Sequence, residues 1–196
     1  MSLVVVDSGG ANISSILHSV RRLGMEPVFS SDAAAIGRAQ KVILPGVGAA
    51  GRAMDRLRRL GLVDVLRSLR QPVLGICLGM QLLFESSEED QASLLGLIPA
   101  RLTRLPRSAE NRVPHMGWNR LACLRPDALG DPLDGQWFYF VHSYAAPLGE
   151  WTLASCTHGR DFSAFVRRGN FYGAQFHPER SAAAGSRLLQ AFLGLN

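Results

Sequence analysis

Cysteine and lysine are scarce in this sequence. The 196 residues include three cysteines, Cys77, Cys123 and Cys156, and Lys41 is the only lysine beside twenty arginines. An odd cysteine count in a chain too large to need disulfide staples argues against a secreted disulfide scaffold and favours a reducing compartment. The near-absence of lysine indicates a compositional preference for arginine more than a selected phosphate-binding surface.

Long apolar runs are also lacking. No stretch reaches the ~18 apolar residues of a membrane span, and residues 1–7 have neither a basic leader nor the apolar length of a signal peptide. We see no Pro/Gly/Ser-rich linker, internal repeat or low-complexity segment. Because domains usually run to ~100–200 residues, we expect one domain over residues 1–196. The cytoplasm is the expected compartment, with no membrane contact.

The net charge of +5 raises the question of a nucleic-acid partner. The densest basic cluster has four members: Arg52, Arg56, Arg58 and Arg59. At helical spacing, Ala53, Leu57 and Leu60 fall on one side of this stretch, while most of the arginines share the other. This pattern is typical of a solvent-facing helix side, so we expect no nucleic-acid partner. The patch could still serve a phosphorylated substrate on a partner protein.

Strand and helix patterns alternate through the first half of the chain. Near-continuous apolar runs predict strands at Leu3–Val6, Pro27–Phe29 and Lys41–Leu44, and another run ends in Ile76. Such strands, separated by helical spacing, are typical of a parallel sheet covered on both faces. From Leu94 onward the strand candidates are shorter and favour antiparallel pairing. The expected fold class is therefore α/β, with a mostly parallel central sheet flanked by helices and a smaller antiparallel strand region.

The segment Gly75–Gly79, Gly-Ile-Cys-Leu-Gly, has the layout of a nucleophile elbow. In this turn, glycines two residues either side of the nucleophile remove side chains that would collide, so a strained strand-to-helix bend presents the reactive atom. Here that atom is the sulfur of Cys77. The helical-looking stretch Leu78–Glu85 predicts a helix N-terminus beside it, which favours thiolate over thiol. The alternative is a buried inert cysteine, since free cysteine is among the most buried residue types.

A nucleophilic thiol needs a base, and His177 is the best placed of the five histidines. It ends the apolar run Phe171–Phe176. Glu179 lies two residues later, so in an extended chain the two side chains project to the same side and the carboxylate can orient the imidazole. The pattern predicts a triad of Cys77, His177 and Glu179. The alternative is a strand-end histidine followed by a solvent-facing glutamate.

Acyl transfer also requires hydrogen-bond donors for the tetrahedral oxyanion. The backbone N–H of Leu78, directly after the nucleophile, is one expected donor. The loop Leu44–Gly48 is the expected source of the second, because its glycines permit a tight turn that points amides into a cavity. This loop could also be an ordinary strand-to-helix connection.

At these residues the chain resembles the class I glutamine amidotransferases, and within them the glutaminase subunits of imidazole glycerol phosphate synthase. The triad segments, residues 75–85 and 175–181, and the loop at 44–48 are similar to the wider superfamily. The segments Val113–Asn119 and Phe138–Tyr144 resemble the narrower group. The resemblance covers nearly the whole chain.

The resemblance implies glutamine as substrate and no cofactor. Cys77 would attack the side-chain amide, and water would hydrolyse the resulting thioester. Residues matching the family's functional positions fall into three groups: Val47 and Leu78 for the oxyanion, Gly48, Gln81, Ser143 and Tyr144 for glutamine, and Asn12 and Trp118 for the partner interface. The implied partner is a cyclase subunit of the HisF type, which forms a heterodimer with the chain and uses the ammonia to make imidazole glycerol phosphate and AICAR.

Two positions depart from the family pattern. The family commonly has tyrosine and lysine where this chain has Ser8 and Arg180. We expect both residues near the partner surface, where they affect docking, and we expect neither to touch the triad.

Other functions compete with this interpretation. They include a subunit of another synthase, a regulatory module without activity, and a cysteine peptidase. The segment Val113–Asn119 favours a subunit of imidazole glycerol phosphate synthase over subunits of other synthases. The complete set of triad residue types argues against an inactive module. A free amino acid needs a small closed pocket, whereas a peptidase needs an extended groove. His115, His142 and His158 lack the paired spacing of zinc ligands, so no metal site is expected.

Overall fold

The central sheet has eight strands and carries the candidate site at one edge. The structure is a computed structural model that describes residues 2–9 and 13–195. The strands are β1 Leu3–Val6, β2 Val28–Ser30, β3 Lys41–Gly46, β4 Val73–Cys77, β5 Phe84–Ser87, β6 Ile98–Arg104, β7 His115–Arg120, β8 Ala122–Cys123, β9 Trp137–His142, β10 Tyr144–Ala145, β11 Thr152–Thr157, β12 Asp161–Arg168 and β13 Phe171–Ala174.

The helices lie mostly between the strands of the first half. They are α1 Ile13–Arg22, α2 Ala33–Arg38, α3 Ala50–Arg59, α4 Leu62–Ser68, α5 Leu78–Gln81 and α6 Ala182–Leu193. Short 3-10 turns occur at Glu89–Gln91, Asp131–Leu133 and Pro178–Arg180. Among the described residues, no helix is long and apolar enough to cross a bilayer.

The strand order of the central sheet is β2-β1-β3-β4-β13-β12-β11-β8. The pairs from β2 to β13 are parallel, and the pairs from β13 to β8 are antiparallel. Smaller sheets pair β10, β6 and β5, and β7 with β9. The expected α/β class, mostly parallel with an antiparallel region in the second half, is confirmed.

Alternating side chains of β1 explain why this sheet is covered on both faces. Leu3 and Val5 belong to the apolar cluster that includes α1 and α6, whereas Val4 and Val6 belong to the cluster that includes α2, α3 and α4. Successive strand residues point to opposite faces, so a run that is apolar throughout requires helices on both sides. Each fully buried aliphatic side chain stabilises the fold by ~1.5–3 kcal/mol.

The arginine-rich stretch is a solvent-facing helix side, as its spacing predicts. Helix α3 buries Ala50, Met54 and Leu57, while most of its arginines are exposed. Leu60 follows the helix as its C-cap residue and is partly exposed. Helix α2 is capped by Asp32, whose side chain accepts a hydrogen bond from the Ala35 amide at 2.6 Å.

The helix expected over Leu78–Glu85 is wrong beyond its first turn. Helix α5 ends at Gln81, and the chain enters β5 at Phe84. The apolar residues that suggested helical spacing, Leu82 and Leu83, are instead buried in a tight turn between the two elements. A four-residue helix has little dipole, so any preference for thiolate at Cys77 depends on local N–H groups and not on a long helix.

Candidate active site

Three neighbouring parallel strands deliver the predicted residues to one edge of the sheet. The β3–β4 register pairs Gly46 with Cys77, and the β4–β13 register pairs Ile76 with Ala174. Carboxyl ends of parallel strands meet at a common edge. Val47, Cys77 and His177, which end or follow these strands, therefore lie side by side.

The turn at Cys77 is strained in the way that a nucleophile elbow requires. Cys77 has φ 53° and ψ −111°, a positive φ that costs free energy for any residue other than glycine. A β-carbon added at Gly75 would lie 2.6 Å from the Gly79 carbonyl oxygen, and one added at Gly79 would lie 1.8 Å from the Leu44 carbonyl oxygen. The two glycines thus let β3, β4 and α5 approach closely enough to hold the bend.

The imidazole of His177 is tied to the carboxylate of Glu179. The His177 Nδ1 atom lies 2.8 Å from Glu179 Oε1, and the two side chains are 5% and 2% exposed. Burial lowers the pKa of His177, but the neighbouring Cys77 sulfur and the Glu179 carboxylate outweigh burial and raise the pKa above its usual value. The site therefore stabilises the protonated form of His177, the imidazolium.

The sulfur of Cys77 and Nε2 of His177 are adjacent without forming a complete hydrogen bond. Nε2 is buried and has no partner of standard geometry, although Cys77 is near enough to raise the pKa of His177. The Cys77 sulfur instead lies 3.9 Å from the Val141 carbonyl oxygen and 3.9 Å from Gln175 Nε2. Hydrogen bonds between nucleophile and base are often long in free enzymes and tighten when substrate binds.

A cavity of about 330 Å³ opens at this edge of the sheet. Cys77 and His177 line it, and Glu179 lies behind them, next to a narrow second cavity. Each residue expected at the oxyanion or around the substrate also lines the larger cavity: Val47, Gly48, Leu78, Gln81, Ser143 and Tyr144. The structure brings the set together, and the role of each member stays a prediction.

Two residues near the site were not predicted from the sequence. Gln175 donates from Nε2 toward Cys77, and its Oε1 accepts from Gln81 Nε2 at 2.9 Å. Its position two residues before His177 on one strand run was a signal that could have placed it on the same side. Glu89 lines the cavity from a 3-10 turn and accepts from the Ala50 amide at 2.9 Å. Because a loop has no periodicity, no pattern pointed to Glu89.

Comparison with known proteins assigns the family. Residues 4–194 match the family described as Glutamine amidotransferase class-I. The chain belongs to the class-I glutamine amidotransferases. This amidotransferase is 50% identical over 195 residues to the imidazole glycerol phosphate synthase subunit HisH of Xylella fastidiosa strain Temecula1, covering 99% of this chain and 98% of that protein.

A second relative and a solved structure agree with this assignment. The HisH subunit of Xanthomonas oryzae pv. oryzae is 51% identical over 196 residues, with 99% of this chain and 98% of that protein covered. A solved structure described as a glutamine amidotransferase matches with a TM-score of 0.74 at 23% identity, covering 98% of this chain and 97% of that one. At that identity the structural match shows the fold alone.

Of the two residues expected at a partner interface of this amidotransferase, the structure describes one. Asn12 lies outside the described residues. Trp118 is 51% exposed on β7 and meets the ring of Tyr139 edge-on. Met116 and Trp137 are exposed on the same β7–β9 ribbon, at 64% and 56%. The expected interface residue thus belongs to an exposed apolar face, and its contact with a partner stays a prediction.

The two departures from the family pattern both line cavities at the site. Ser8 is buried, donates from Oγ to the Pro45 carbonyl oxygen at 2.8 Å, and lines the narrow cavity beside Glu179. Arg180 lines the larger cavity and places its guanidinium 4.9 Å from the centre of the Tyr139 ring. The expectation that neither residue touches the triad stays a prediction, as does their place near the partner surface; Ser8 supports the end of β3 and Arg180 directly follows Glu179 in the chain.

Proposed function

We propose that the chain is the glutaminase subunit of an imidazole glycerol phosphate synthase. It hydrolyses glutamine to glutamate and ammonia through a thioester between the substrate and Cys77. The observation that carries the proposal is the strained turn at Cys77, which opens into the same cavity as His177 while Glu179 binds the imidazole from behind. These three groups have the geometry of nucleophile, base and orienting carboxylate.

The first half-reaction forms the thioester. The thiolate of Cys77 attacks the amide carbon of glutamine, and the oxyanion that results is held by the backbone N–H groups of Leu78 and Val47. As the C–N bond breaks, protonated His177 gives its proton to the departing nitrogen, which leaves as ammonia. Glu179 stabilises the imidazolium before this transfer.

The second half-reaction releases glutamate. His177 takes a proton from water, the hydroxyl attacks the thioester carbon, and the C–S bond breaks. The thiolate and imidazolium are restored, and the net change is glutamine plus water to glutamate plus ammonia. The same oxyanion donors serve both steps because the two tetrahedral centres occupy the same place.

The cavity also offers groups for the amino-acid end of glutamine. Gly48, Gln81, Ser143 and Tyr144 are the proposed contacts, and we add Glu89 as the counter-charge for the α-ammonium. Burial raises the pKa of Glu89, and an ammonium group beside it would favour the charged carboxylate. No other acidic side chain lines this cavity among the described residues.

The ammonia passes to a HisF-type cyclase subunit that binds this chain as a heterodimer. That subunit uses ammonia to make imidazole glycerol phosphate and AICAR in histidine biosynthesis. The names of the relatives in Xylella and Xanthomonas support this assignment, and the exposed face of Met116, Trp118 and Trp137 supplies an apolar surface for docking. In this proposal residues 1–196 act as one glutaminase domain in the cytoplasm, without a cofactor.

The proposal predicts that glutamine turnover depends on the partner. Tyr139 on the ribbon contacts Arg180 at the cavity, so a subunit docked on the ribbon can change the shape of the site. We expect the cyclase together with its nucleotide substrate to raise the glutaminase rate by about 5- to 150-fold, the range of ordinary coupling free energies. Glutamate release measured with the chain alone, with the cyclase, and with both additions provides the test. A fully active enzyme that ignores its partner would contradict the proposal.

A further inference from the structure

Two histidines that the mechanism does not use form a buried pair beside the cavity. His115 on β7 and His142 at the end of β9 are 4% and 6% exposed, and His115 Nδ1 lies 3.0 Å from His142 Nε2. The His115 ring is stacked between Phe140 and His158, with centroid distances of 4.8 and 4.2 Å. The two histidines are 27 residues apart in the sequence, and the β7–β9 register places them opposite each other.

Their hydrogen bonds specify one tautomer for each ring. His142 Nδ1 lies 2.9 Å from the Tyr144 carbonyl oxygen, which can only accept, so Nδ1 carries the proton and Nε2 is the acceptor. His115 must then donate from Nδ1, which makes its own Nε2 an acceptor. Asn119 Nδ2 lies 3.3 Å from that atom and uses its other proton on the Thr157 carbonyl oxygen at 3.0 Å. Each of these contacts is satisfied when both rings are neutral.

The environment agrees with neutral rings. Burial is the main cause that lowers the pKa of His142 to about 3; the hydrogen bond to Tyr144 opposes it and the neighbouring histidines contribute to it. Burial also lowers the pKa of His115 to about 4, with a contribution from His158. Both rings therefore stay uncharged across the pH range in which a cytoplasmic enzyme works.

The pair leads directly to the cavity wall. The Tyr144 carbonyl oxygen accepts from His142 and also from Gln81 Nε2 at 3.1 Å. Gln81 gives its second Nε2 proton to Gln175 Oε1, and Gln175 in turn faces the Cys77 sulfur. With both amide protons used, Gln81 keeps its oxygen as the acceptor for a substrate donor.

We propose that His142 is a positioning residue for glutamine, and that His115 keeps His142 in the required tautomer. His142 fixes the Tyr144 carbonyl, the carbonyl fixes the amide of Gln81, and the backbone at Ser143 and Tyr144 is held where the substrate binds. The inference rests on the proposed function, because it names what holds that substrate site in shape. A displacement of 1 Å at such a site can lower the rate about 100-fold.

Replacing His142 with leucine and with asparagine tests this role. Leucine removes the donor to the Tyr144 carbonyl, whereas the asparagine amide nitrogen can take the place of Nδ1. In the complex with the cyclase, we expect H142L to raise KM for glutamine about 10- to 100-fold. H142N should stay within about threefold of the wild type. Alkylation of Cys77 by iodoacetamide, which does not need the amino-acid contacts, should change less than about twofold in both variants.

Two further variants complete the design. H158F keeps a ring against His115 but lies outside the chain of hydrogen bonds to Tyr144, so its KM should match the wild type. H115F keeps the ring stacking but removes the donor to His142 Nε2, so it should raise KM for glutamine. If H142L fails to fold, H115F tests the positioning role of the histidine pair. Wild-type KM in both folded H142L and H115F would overturn the inference. Absence of glutamine hydrolysis in the wild-type complex would instead overturn the proposed function.

Discussion

Replacing Cys77 with alanine is expected to lower glutamine hydrolysis in the complex by about 10³-fold or more. Among the described residues, the sulfur is the only nucleophilic side-chain atom on the strained turn, and the residues of the proposed oxyanion donors, Val47 and Leu78, line the same cavity. Without it, water must attack the amide directly, and the oxyanion donors retain a small part of the rate enhancement. Glutamate release by C77A and the wild type, each with cyclase and nucleotide, measures the effect.

The other two cysteines provide matched controls for this prediction. Burial raises the pKa of Cys123 to about 11 and of Cys156 to about 12, with further contributions from nearby aspartates. Both thiols stay protonated at neutral pH, so C123A and C156A should keep glutaminase activity near the wild-type rate. Ammonium salt added in place of glutamine should sustain the cyclase reaction in the presence of C77A, which shows that the cyclase itself is active in the assay. Normal glutamine hydrolysis by C77A would contradict the triad.

Replacing Gly79 with alanine is expected to destabilise the fold by about 3 kcal/mol or more and to remove glutaminase activity. The added β-carbon would lie 1.8 Å from the Leu44 carbonyl oxygen and 2.8 Å from the Leu44 carbonyl carbon. Both neighbours are backbone atoms, so β3 and the start of α5 must separate. That movement would displace the loop at Val47 and the amide of Leu78, which are the proposed oxyanion donors.

Urea unfolding of G79A and the wild type measures the loss, and Gly37 provides the matched control. Gly37 is exposed within α2, and an added β-carbon would meet no atom within 4 Å. Alanine there should raise the free energy of unfolding by ~0.5–1 kcal/mol, since glycine costs about that much in a helix. If G79A unfolds at the wild-type midpoint with normal activity, close packing at the elbow does not hold the site.

The sequence could predict the elbow and the parallel sheet because both depend on local patterns. The glycines at 75 and 79 are two residues from Cys77, and this spacing alone indicated the bend, although the Leu44 carbonyl that crowds Gly79 belongs to the distant strand β3. The apolar runs at β1 and β3 likewise required helices on both faces. The predicted triad required the ends of β4 and β13 to lie close together, whereas their parallel pairing was not predicted, because the pattern after Leu94 favoured antiparallel pairs.

Features that depend on distant contacts could not be predicted. The predicted length of α5 was wrong because Leu82 and Leu83 are apolar residues that pack in a turn. Periodicity cannot distinguish such residues from the buried face of a helix. The strand β7 carries a mixed pattern because one side faces His142 and the other is exposed. Glu89 and the buried histidine pair reach the cavity only through tertiary contacts, so their spacing in the sequence carried no signal.

The position of the covalent bond tests the central claim most directly. The full-length chain, with its cyclase, is treated with a glutamine analogue that alkylates thiols, and the modified peptide is identified by mass spectrometry. The account predicts one adduct, on Cys77, with excess glutamine preventing its formation and activity falling in proportion to labelling. An adduct on Cys123 or Cys156 that abolishes activity, or full inhibition with Cys77 unmodified, would contradict it.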